Sequence, residues 1–599
     1  MTFRLLAALA LQLALLAGCA GPDRHVASAS DAAPEAASGF AEKAGAWSQR
    51  FMVAAANPLA AEAGYRMLKA GGSAVDAAIA VQMVLTLVEP QSSGIGGGLF
   101  LVHWDSHEVQ TFDGRETAPA AATPELFMQG GRPMPFMAAV VGGRSVGTPG
   151  VLRALELAHR QHGKLPWKSL FEPAIVLAEK GFLISPRLAA LLRDPSARAL
   201  RSDPTAAAYF FEADGSPKRA GTRLRNPELA AVLRDVAERG AVAFYEGGLA
   251  REIVAKVRSH ASNPGLLSEA DLAGYRAKVR APLCFDHRLW RLCGMAPPSS
   301  GTLALAQMLG MLAGRDLAAL PPVPGAVGLE PRADAVHLLT EAGRLAFADR
   351  ARYVADPDFV ALPGGSVAAL LNPAYLAQRG ALIGARSMGV AAPGVPPAPL
   401  ASLADDRSAE LPSTSHVSII DADGHAVAMT TTIENAFGAQ IMVRGFLLNN
   451  QLTDFSFVPS ENGVPVANRV DGGKRPRSAM APMLVFDKAS GELQMSLGSP
   501  GGSAIINYVA KALVGTLDWG LDLQQAFALP NFGSRNGPTE LETGRVSAGL
   551  IEALQARGHD VQVMPQTSGL QGIQRRLRDG RPAWFGAADP RREGVAMGD

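Results

Sequence analysis

The chain has 599 residues, of which 48% are hydrophobic and 19% are charged, so it is too apolar for a disordered protein and has enough apolar side chains for a large core. Lys and Arg (56) balance Asp and Glu (55), and this formal net charge of +1 does not indicate a nucleic-acid-binding protein. The 3 cysteines exclude a disulfide-rich scaffold and a four-cysteine zinc site.

The first 19 residues have the pattern of a secretory signal: one arginine, an apolar run and small residues. Their end, Leu16-Ala17-Gly18-Cys19, resembles the bacterial lipoprotein box, which implies a lipidated Cys19 as the mature N-terminus. The alternative is an ordinary signal peptide with an incidental cysteine. Residues 20–46 are rich in Ala, Ser, Gly and Pro and are predicted to form a flexible tether.

The location of the protein follows from the same segment. Ala20 follows the cysteine, where many bacteria use aspartate to retain lipoproteins at the inner membrane. We therefore expect a lipid anchor in the outer membrane, with the protein facing the periplasm. No later stretch reaches about 18 uninterrupted apolar residues, so no other membrane contact is expected.

Helices are predicted in the first two thirds of the chain. Asn57-Pro58 is a helix-start pattern, and Ser73 with Asp76 predicts a capping box for a second helix that ends near Leu87. This second helix is apolar on nearly every side, so we expect it to be buried. Further helices are predicted at 150–162, 226–239, 302–313 and 333–351, and an exposed linker at 390–400.

Three other patterns do not indicate a site. The glycines of residues 94–98 lie between a predicted helix and a predicted strand, which is the reverse of a dinucleotide-binding fingerprint. Residues 143–147 match G-x-S-x-G, but Thr148-Pro149-Gly150 separates the serine from the next helix, so a backbone turn is the better interpretation. The 11 histidines form no metal-binding motif.

Cys284 and Cys293 lie in a predicted hairpin. The sequence leaves two alternatives for them, a disulfide or two buried thiols.

From residue 414 the chain becomes rich in predicted strands, and this order of helices and strands favours a layered α+β domain. The first two strands form a predicted hairpin around Asp421 and Gly424, which suit a three-residue bulged loop. If Asp421 pairs with His425, Thr414 faces Thr432 on one side of the sheet, whereas a shift of one residue would separate them. Two facing threonines do not by themselves indicate a catalytic site, because such pairs are common between neighbouring strands.

Residues 414–424 (T-S-H-V-S-I-I-D-A-D-G) resemble the processing site of the γ-glutamyltranspeptidase (glutathione hydrolase) family of N-terminal-nucleophile hydrolases. The likeness extends from about residue 45 to the C-terminus. It implies a four-layer αββα sandwich that is cut into a large chain, 47–413, and a small chain, 414–599, which stay together as a heterodimer. The other matching blocks are at 57–102, 113–119, 147–150, 447–455, 475–482 and 498–502.

The resemblance implies a catalytic role for Thr414. A threonine hydroxyl is a weak nucleophile, and N-terminal-threonine enzymes activate it with their own α-amine, whose pKa is near 8. Thr414 is internal, so the Ser413–Thr414 bond must first be cut, and the family does this autocatalytically. Thr432 is then expected to orient the Thr414 hydroxyl. The N–H groups of Gly501 and Gly502, ahead of a predicted helix, are expected to form the oxyanion hole.

A γ-glutamyl substrate carries an α-carboxylate and an α-ammonium. By its position in the matching blocks, Arg115 is expected to bind the carboxylate together with Ser478. Gln451 and Asp454 are expected to hold the ammonium. The resemblance implies no metal, no organic cofactor and no nucleic-acid partner.

The chain departs from the family pattern in three places. Glu434 stands where the family usually has asparagine, and we expect it to take part in substrate binding. Ala479 stands where the family often has a second serine. Residues 456–473, which form a lid in many members, are shortened and contain no tyrosine.

The expected function is hydrolysis or transfer of γ-glutamyl groups, including that of glutathione, through a γ-glutamyl-Thr414 ester. One alternative is a related acylase for glutaryl-like amides or poly-γ-glutamate. An alternative from another class is an uncleaved lipoprotein that only binds peptides, in which the Ser413–Thr414 bond stays intact.

Overall fold

The computed structural model describes residues 39–399, 401–408 and 413–599. The predicted signal segment and most of the predicted tether lie outside the described residues. The last residues of the tether are described: Lys43 donates hydrogen bonds to the carbonyl oxygens of Arg592 and Gly594, and Ala46 begins a strand. Packing against the domain therefore begins before the predicted boundary at residue 47.

Two seven-stranded sheets form the centre of the fold, and all their neighbouring strands are antiparallel. The first sheet has the strand order β14-β2-β8-β9-β3-β4-β5 and the second β1-β13-β12-β11-β10-β7-β6. In chain order these strands are β1 (Ala46–Ser48), β2 (Met52–Ala55), β3 (Gly98–Trp104), β4 (Val109–Gly114), β5 (Lys278–Arg280), β6 (Leu283–His287), β7 (Trp290–Gly294), β8 (Ser415–Ile420), β9 (Ala426–Thr432), β10 (Met483–Asp487), β11 (Leu493–Gly498), β12 (Gln571–Arg578), β13 (Arg581–Ala588) and β14 (Val595–Gly598).

Helices cover the outer faces of both sheets. None in the described part of the chain is long and apolar enough to cross a membrane. The described α-helices of seven residues or more are Pro58–Lys69, Ala74–Val88, Val151–His162, Glu172–Lys180, Pro186–Arg193, Pro204–Phe210, Pro227–Arg239, Gly248–Arg258, Gly301–Met311, Ala333–Tyr353, Pro373–Gly380, Ile505–Leu517 and Ala548–Ala556.

Three clusters of buried apolar side chains separate four layers. Along β9, Val427 and Met429 pack against helices of the first half of the chain, such as Ala74–Val88. Ala426 and Ala428 alternate with them and face the second sheet. A third cluster fills the space between the second sheet and helices that include Gly301–Met311. This alternation confirms the expected αββα sandwich.

Local sequence rules predicted several details correctly. Ser73 and Asp76 form the capping box, and every residue of the helix Ala74–Val88 is buried. Ser145, in the G-x-S-x-G segment, lies in a buried turn and donates its hydroxyl hydrogen to the carbonyl oxygen of Val140. Cys284 and Cys293 lie opposite each other on β6 and β7 and form a disulfide, which is the first of the two alternatives that the sequence left open.

The β8–β9 hairpin has the predicted register. Ser415 pairs with Thr431, and the N–H of Asp421 donates to the carbonyl oxygen of His425. Gly424 has φ +82°, the left-handed conformation that the bulged loop requires. Thr414 and Thr432 are therefore brought together at the open end of this hairpin.

Candidate active site

The predicted site residues converge at the open end of the β8–β9 hairpin. They line one small pocket, in which three of the described lining residues (Ala479, Met480 and Ile505) were not among the predicted site residues. Gly501 adjoins this pocket through Gly502. Among the described residues, the pocket is lined by Arg115, Ser413, Thr414, Thr432, Glu434, Gln451, Asp454, Ser478, Ala479, Met480, Gly502 and Ile505.

Two threonine hydroxyls meet at the carbonyl oxygen of Ser413. The Thr432 hydroxyl donates to this oxygen at 2.7 Å, and Thr414 Oγ1 lies 2.6 Å from it. The two hydroxyl oxygens are 3.4 Å apart. The backbone N–H of Glu434 donates to Thr432 Oγ1 at 2.8 Å, which leaves the Thr432 hydrogen directed at the carbonyl. The bond predicted to be cut is thus already polarised.

The residues on both sides of this bond are held by contacts that the sequence did not predict. The Ser413 hydroxyl donates to the carbonyl oxygen of Gln91 at 2.6 Å. Arg592 Nη1 donates to the carbonyl oxygen of Thr414 at 3.3 Å, and burial lowers the pKa of this guanidinium to about 9. Gln91 lies inside a matched block (57–102), so the resemblance could have indicated it. Arg592 lies in none of the blocks.

The glycines predicted for the oxyanion hole follow β11. Gly501 has φ +136°, and a Cβ there would lie 2.6 Å from the ring of Tyr508, so this position requires glycine. A short 3₁₀ turn, Gly502–Ala504, leads into the helix Ile505–Leu517, as predicted. Within the described part of the chain, neither the Gly501 N–H nor the Gly502 N–H has a protein acceptor. Both donors are thus available to an anion.

Arg115 and Asp454 form a buried ion pair in the same pocket. The guanidinium of Arg115 also donates to the carbonyl oxygens of Pro476 and Arg477, at 3.2 and 2.9 Å. Gln451 Nε2 donates to Asp454 at 2.8 Å. Among the described residues, Arg115 Nη1 and Gln451 Oε1 are buried without a hydrogen-bond partner. One donor and one acceptor are thus left for a ligand that carries an anion and a cation.

The neighbouring Glu116 does not add a second full charge beside this ion pair at neutral pH. Burial raises the pKa of its carboxyl to about 8, against the smaller opposing effect of Arg115. Its Oε2 lies 3.8 Å from Arg115 Nη1. A largely neutral Glu116 competes only weakly with a ligand carboxylate for a hydrogen bond from Arg115 Nη1. Sequence reasoning assigned no role to this residue, although it lies in a matched block.

Glu434 and Ser478 complete the pocket. Glu434 has φ +76°, and its carboxylate accepts a hydrogen bond from Asn450, which sequence reasoning missed although Asn450 lies in a matched block. Ser478 Oγ accepts a hydrogen bond from the backbone N–H of Met480 at 3.2 Å. Both residues line the pocket, and their roles in substrate binding stay predictions.

One buried group of metal-type side chains lies outside this pocket. His337, Glu341 and His559 approach one another in the described structure. The two imidazoles bond to each other at 2.8 Å, and their outer nitrogens bond to the carbonyl oxygen of Gly384 and the hydroxyl of Thr539. All four ring nitrogens are therefore engaged by the protein, and this group is explained as a structural hydrogen-bond chain.

The αββα sandwich, with a threonine at the head of a central strand and a polarised carbonyl before it, defines the chain as an N-terminal-nucleophile hydrolase with a threonine nucleophile. The model of the γ-glutamyltranspeptidase family matches residues 60–599. The chain therefore belongs to the γ-glutamyltranspeptidase family.

Its relatives include hydrolases and acylases. The chain is 35% identical over 561 residues to the glutathione hydrolase proenzyme of Bacillus subtilis (strain 168), with 91% of each chain covered. It is 36% identical over 548 residues to the acylase ACY 1 proenzyme of Pseudomonas sp. (strain V22), which covers 90% of this chain and 91% of that protein. The crystal structure of cephalosporin acylase from Bacillus halodurans is similar with a TM-score of 0.80 and 27% identity, covering 93% of this chain and 97% of the acylase.

Proposed function

We propose that the chain cuts its own Ser413–Thr414 bond and then hydrolyses or transfers γ-glutamyl groups, including that of glutathione. The observation that carries this proposal is the position of the Thr414 and Thr432 hydroxyls on one carbonyl oxygen, that of Ser413. This arrangement provides both a nucleophile and a donor for the negative charge that develops during attack.

Maturation is an acyl shift followed by hydrolysis. Thr414 Oγ1 attacks the carbonyl carbon of Ser413, while the Thr432 hydroxyl stabilises the developing oxyanion. The C–N bond breaks, and the nitrogen of Thr414 takes up the proton of its own hydroxyl. Water then hydrolyses the resulting ester, which leaves a carboxylate on Ser413 and regenerates the hydroxyl of Thr414.

Turnover uses the amine that maturation releases. With a pKa near 8, this amine accepts the proton of Thr414 Oγ1 as the oxygen attacks the γ-carbonyl carbon of the substrate. The N–H groups of Gly501 and Gly502 stabilise the oxyanion, and the protonated amine then donates its proton to the leaving nitrogen. Attack of water on the acyl-threonine ester gives hydrolysis, and attack of an amine gives transfer.

The substrate class follows from the ion pair of Arg115 with Asp454 and from the neighbouring Gln451. Arg115 Nη1 is a donor for a carboxylate, and Gln451 Oε1 with Asp454 provides acceptors for an ammonium. A γ-glutamyl group carries both charges on one carbon, next to the γ-amide chain that reaches Thr414.

A related acylase for glutaryl-like amides or poly-γ-glutamate is a second candidate. Ala479 does not separate the two candidates, because it offers no hydroxyl to the carboxylate that γ-glutamyl and glutaryl groups share. The acylase relatives match the chain over the same extent as the glutathione hydrolases.

One assay separates these functions. The purified protein is incubated with γ-glutamyl-anilide or glutaryl-anilide, with and without an acceptor dipeptide, and its chains are separated on a denaturing gel. Two chains and release of aniline from the γ-glutamyl substrate are expected. Faster release from the glutaryl substrate would favour the acylase. An intact chain without turnover would favour the peptide-binding lipoprotein and contradict the proposal.

We also propose that the mature protein is anchored by a lipid on Cys19 and faces the periplasm. The support is the likeness of residues 16–19 to the lipoprotein box, together with the alanine at position 20.

A further inference from the structure

We infer that Lys43 is a positioning residue for the nucleophile. It holds the loop 590–594, and Arg592 in this loop holds Thr414 by its carbonyl oxygen. This inference rests on the proposed function, because it concerns what keeps Thr414 in place once the Ser413–Thr414 bond is cut. In the proposed mature protein, Lys43 belongs to the large chain, whereas the loop and Thr414 belong to the small chain.

Thr414 lies just outside the sheet. The ladder between β8 and β9 begins with the pair of Ser415 and Thr431, so residue 414 is not part of it. Before cleavage, the peptide bond to Ser413 holds Thr414 from its other side. Cleavage removes this connection and makes Thr414 a chain end, and chain ends are poorly ordered unless other contacts hold them. Contacts to its carbonyl oxygen then restrict where its hydroxyl and its amine lie.

Arg592 supplies such a contact. Its Nη1 donates to the carbonyl oxygen of Thr414 at 3.3 Å, and its Nη2 donates to that of Thr567 at 3.4 Å. The residue is 3% exposed, and a Cβ at Gly569 would lie 2.7 Å from its Cδ, so its side chain occupies a narrow space. A planar guanidinium that donates to two carbonyl oxygens in such a space has little freedom to move. Arg592 therefore fixes Thr414 relative to the rest of the domain.

Lys43 holds the backbone of the loop that carries Arg592. Its Nζ donates to the carbonyl oxygen of Arg592 at 2.5 Å and to that of Gly594 at 2.6 Å. Hydrogen bonds from an ammonium are roughly twice as strong as those between neutral groups. The N–H of Ala41 also donates to the carbonyl oxygen of Pro590, at 2.9 Å. The segment around Lys43 thus binds both ends of the loop.

This N-terminal segment is itself fixed on both sides of Lys43. Before it, the Cζ atoms of Arg545 and Arg591 lie 3.6 and 5.5 Å from the centre of the Phe40 ring, in cation–π contacts. After it, Ala46 begins β1, which pairs with β13 in the second sheet. The ammonium of Lys43 is therefore presented to the loop from a defined position.

A second contact from the large chain limits the expected effect. The backbone N–H of Arg187 donates to Glu593 Oε1 at 2.8 Å, so Lys43 is not the sole support of the loop. Replacing Lys43 should therefore loosen Arg592 without releasing the loop. The loss of activity should be smaller than the loss caused by removing the guanidinium of Arg592.

The experiment measures kcat and KM for γ-glutamyl-p-nitroanilide on self-cleaved protein. Arg592→Met should lower kcat about ten- to a hundredfold, which corresponds to the loss of a hydrogen bond from a charged group. KM should change by less than about threefold, because Arg592 is not among the residues that line the pocket. Arg592→Lys keeps a cationic donor and should restore kcat at least about threefold relative to Arg592→Met. Unchanged kcat in Arg592→Met would overturn the inference.

Lys43→Met should lower kcat about three- to tenfold and leave KM unchanged. The double variant with Arg592→Met should match Arg592→Met alone within about twofold, because Lys43 acts through Arg592. Lys488→Met, which alters an exposed lysine ion-paired with Asp286, is the matched control and should leave kcat at the wild-type value. Wild-type kcat in Lys43→Met, or losses that multiply in the double variant, would contradict the inference.

Self-cleavage on a gel shows that each variant has folded. If Arg592→Met stays a single chain, the same cycle is measured with Arg592→Lys in its place. A wild-type protein that cleaves itself and turns over the anilide, together with variants that keep its kcat, would refute the inference and leave the proposed function standing. A wild-type protein that stays intact, or that cleaves itself without turnover, would refute the proposed function and the inference with it.

Discussion

Replacing Thr432 by valine tests the role of its hydroxyl in self-cleavage. Valine has nearly the same shape as threonine, so the packing at this buried position is retained while the donor to the Ser413 carbonyl oxygen is lost. The nucleophile, Thr414 Oγ1, stays in place. If the variant cleaves itself more slowly, the cause is therefore the loss of this hydrogen bond and not the loss of the nucleophile.

The size of the effect follows from the geometry. The 2.7 Å hydrogen bond from Thr432 meets the oxygen that becomes negative during attack. Removing one preorganised donor of this type costs about 2.7–4 kcal/mol, or roughly 10²–10³ in rate. The variant also leaves the backbone N–H of Glu434 without its acceptor, which lowers the free energy of unfolding by about 1–3 kcal/mol. Cleavage should thus slow by two to three orders of magnitude in a protein that still folds.

Cell-free synthesis provides the precursor at a defined starting time, and denaturing gels then follow the appearance of the two chains. Thr432→Ser keeps the hydroxyl and should cleave within about tenfold of the wild-type rate. If Thr432→Val cleaves as fast as the wild type, the carbonyl is not activated by this hydroxyl and the reasoning is wrong.

Three further changes test the nucleophile, the pocket and the anchor. Thr414→Ala should remain a single chain on a gel, and N-terminal sequencing of the wild-type small chain should begin at Thr414; any other start contradicts the assignment. Glu434→Asn combined with Ala479→Ser should raise kcat/KM for γ-glutamyl-anilide about ten- to a hundredfold, mainly through a lower KM, because the restored contacts bind ground and transition states alike; a variant that is slower on this substrate and faster on none would oppose this. Cys19→Ser should move the protein from the membrane to the soluble fraction, and unchanged membrane attachment would exclude the lipid anchor.

The hairpin that presents the nucleophile could be predicted from sequence because its determinants are local. Asp421 and Gly424 define the loop, and the loop sets the register of every pair up to Thr414 and Thr432. The capping box at Ser73 is equally local. Rules that act over a few residues were therefore enough to predict the part of the site that lies on this hairpin.

The contacts between distant segments could not be predicted in this way. Arg115 and Asp454 are 339 residues apart, and Arg592 reaches Thr414 over 178. No propensity or spacing rule connects such positions; only the resemblance to a family suggested that Arg115 and Asp454 share a site. Arg592 had no such support, so its contact with Thr414 was found only in the structure.

The C-terminal strands were missed for another reason. β12 and β13 lie inside the second sheet, yet their paired ends carry the charged residues Arg575, Arg576, Arg578 and Arg581. These ends are half-buried or exposed, whereas the other ends of both strands are buried. A strand that is only half inside the core lacks a continuous apolar or alternating pattern, so its sequence does not indicate a strand.

Thr432 connects maturation with turnover. Before cleavage its hydrogen is directed to the carbonyl oxygen of Ser413, and Thr414 Oγ1 lies 3.4 Å away as the next acceptor. After cleavage, Ser413 is the C-terminal residue of the large chain. When its carboxylate leaves the site, the Thr432 hydroxyl loses its nearer hydrogen-bond acceptor. The same hydroxyl can then donate to Thr414 Oγ1 and orient the nucleophile for the substrate. A precursor of Thr432→Val that is given enough time to cleave should therefore still be slow in turnover, whereas a role limited to maturation would leave kcat at the wild-type value.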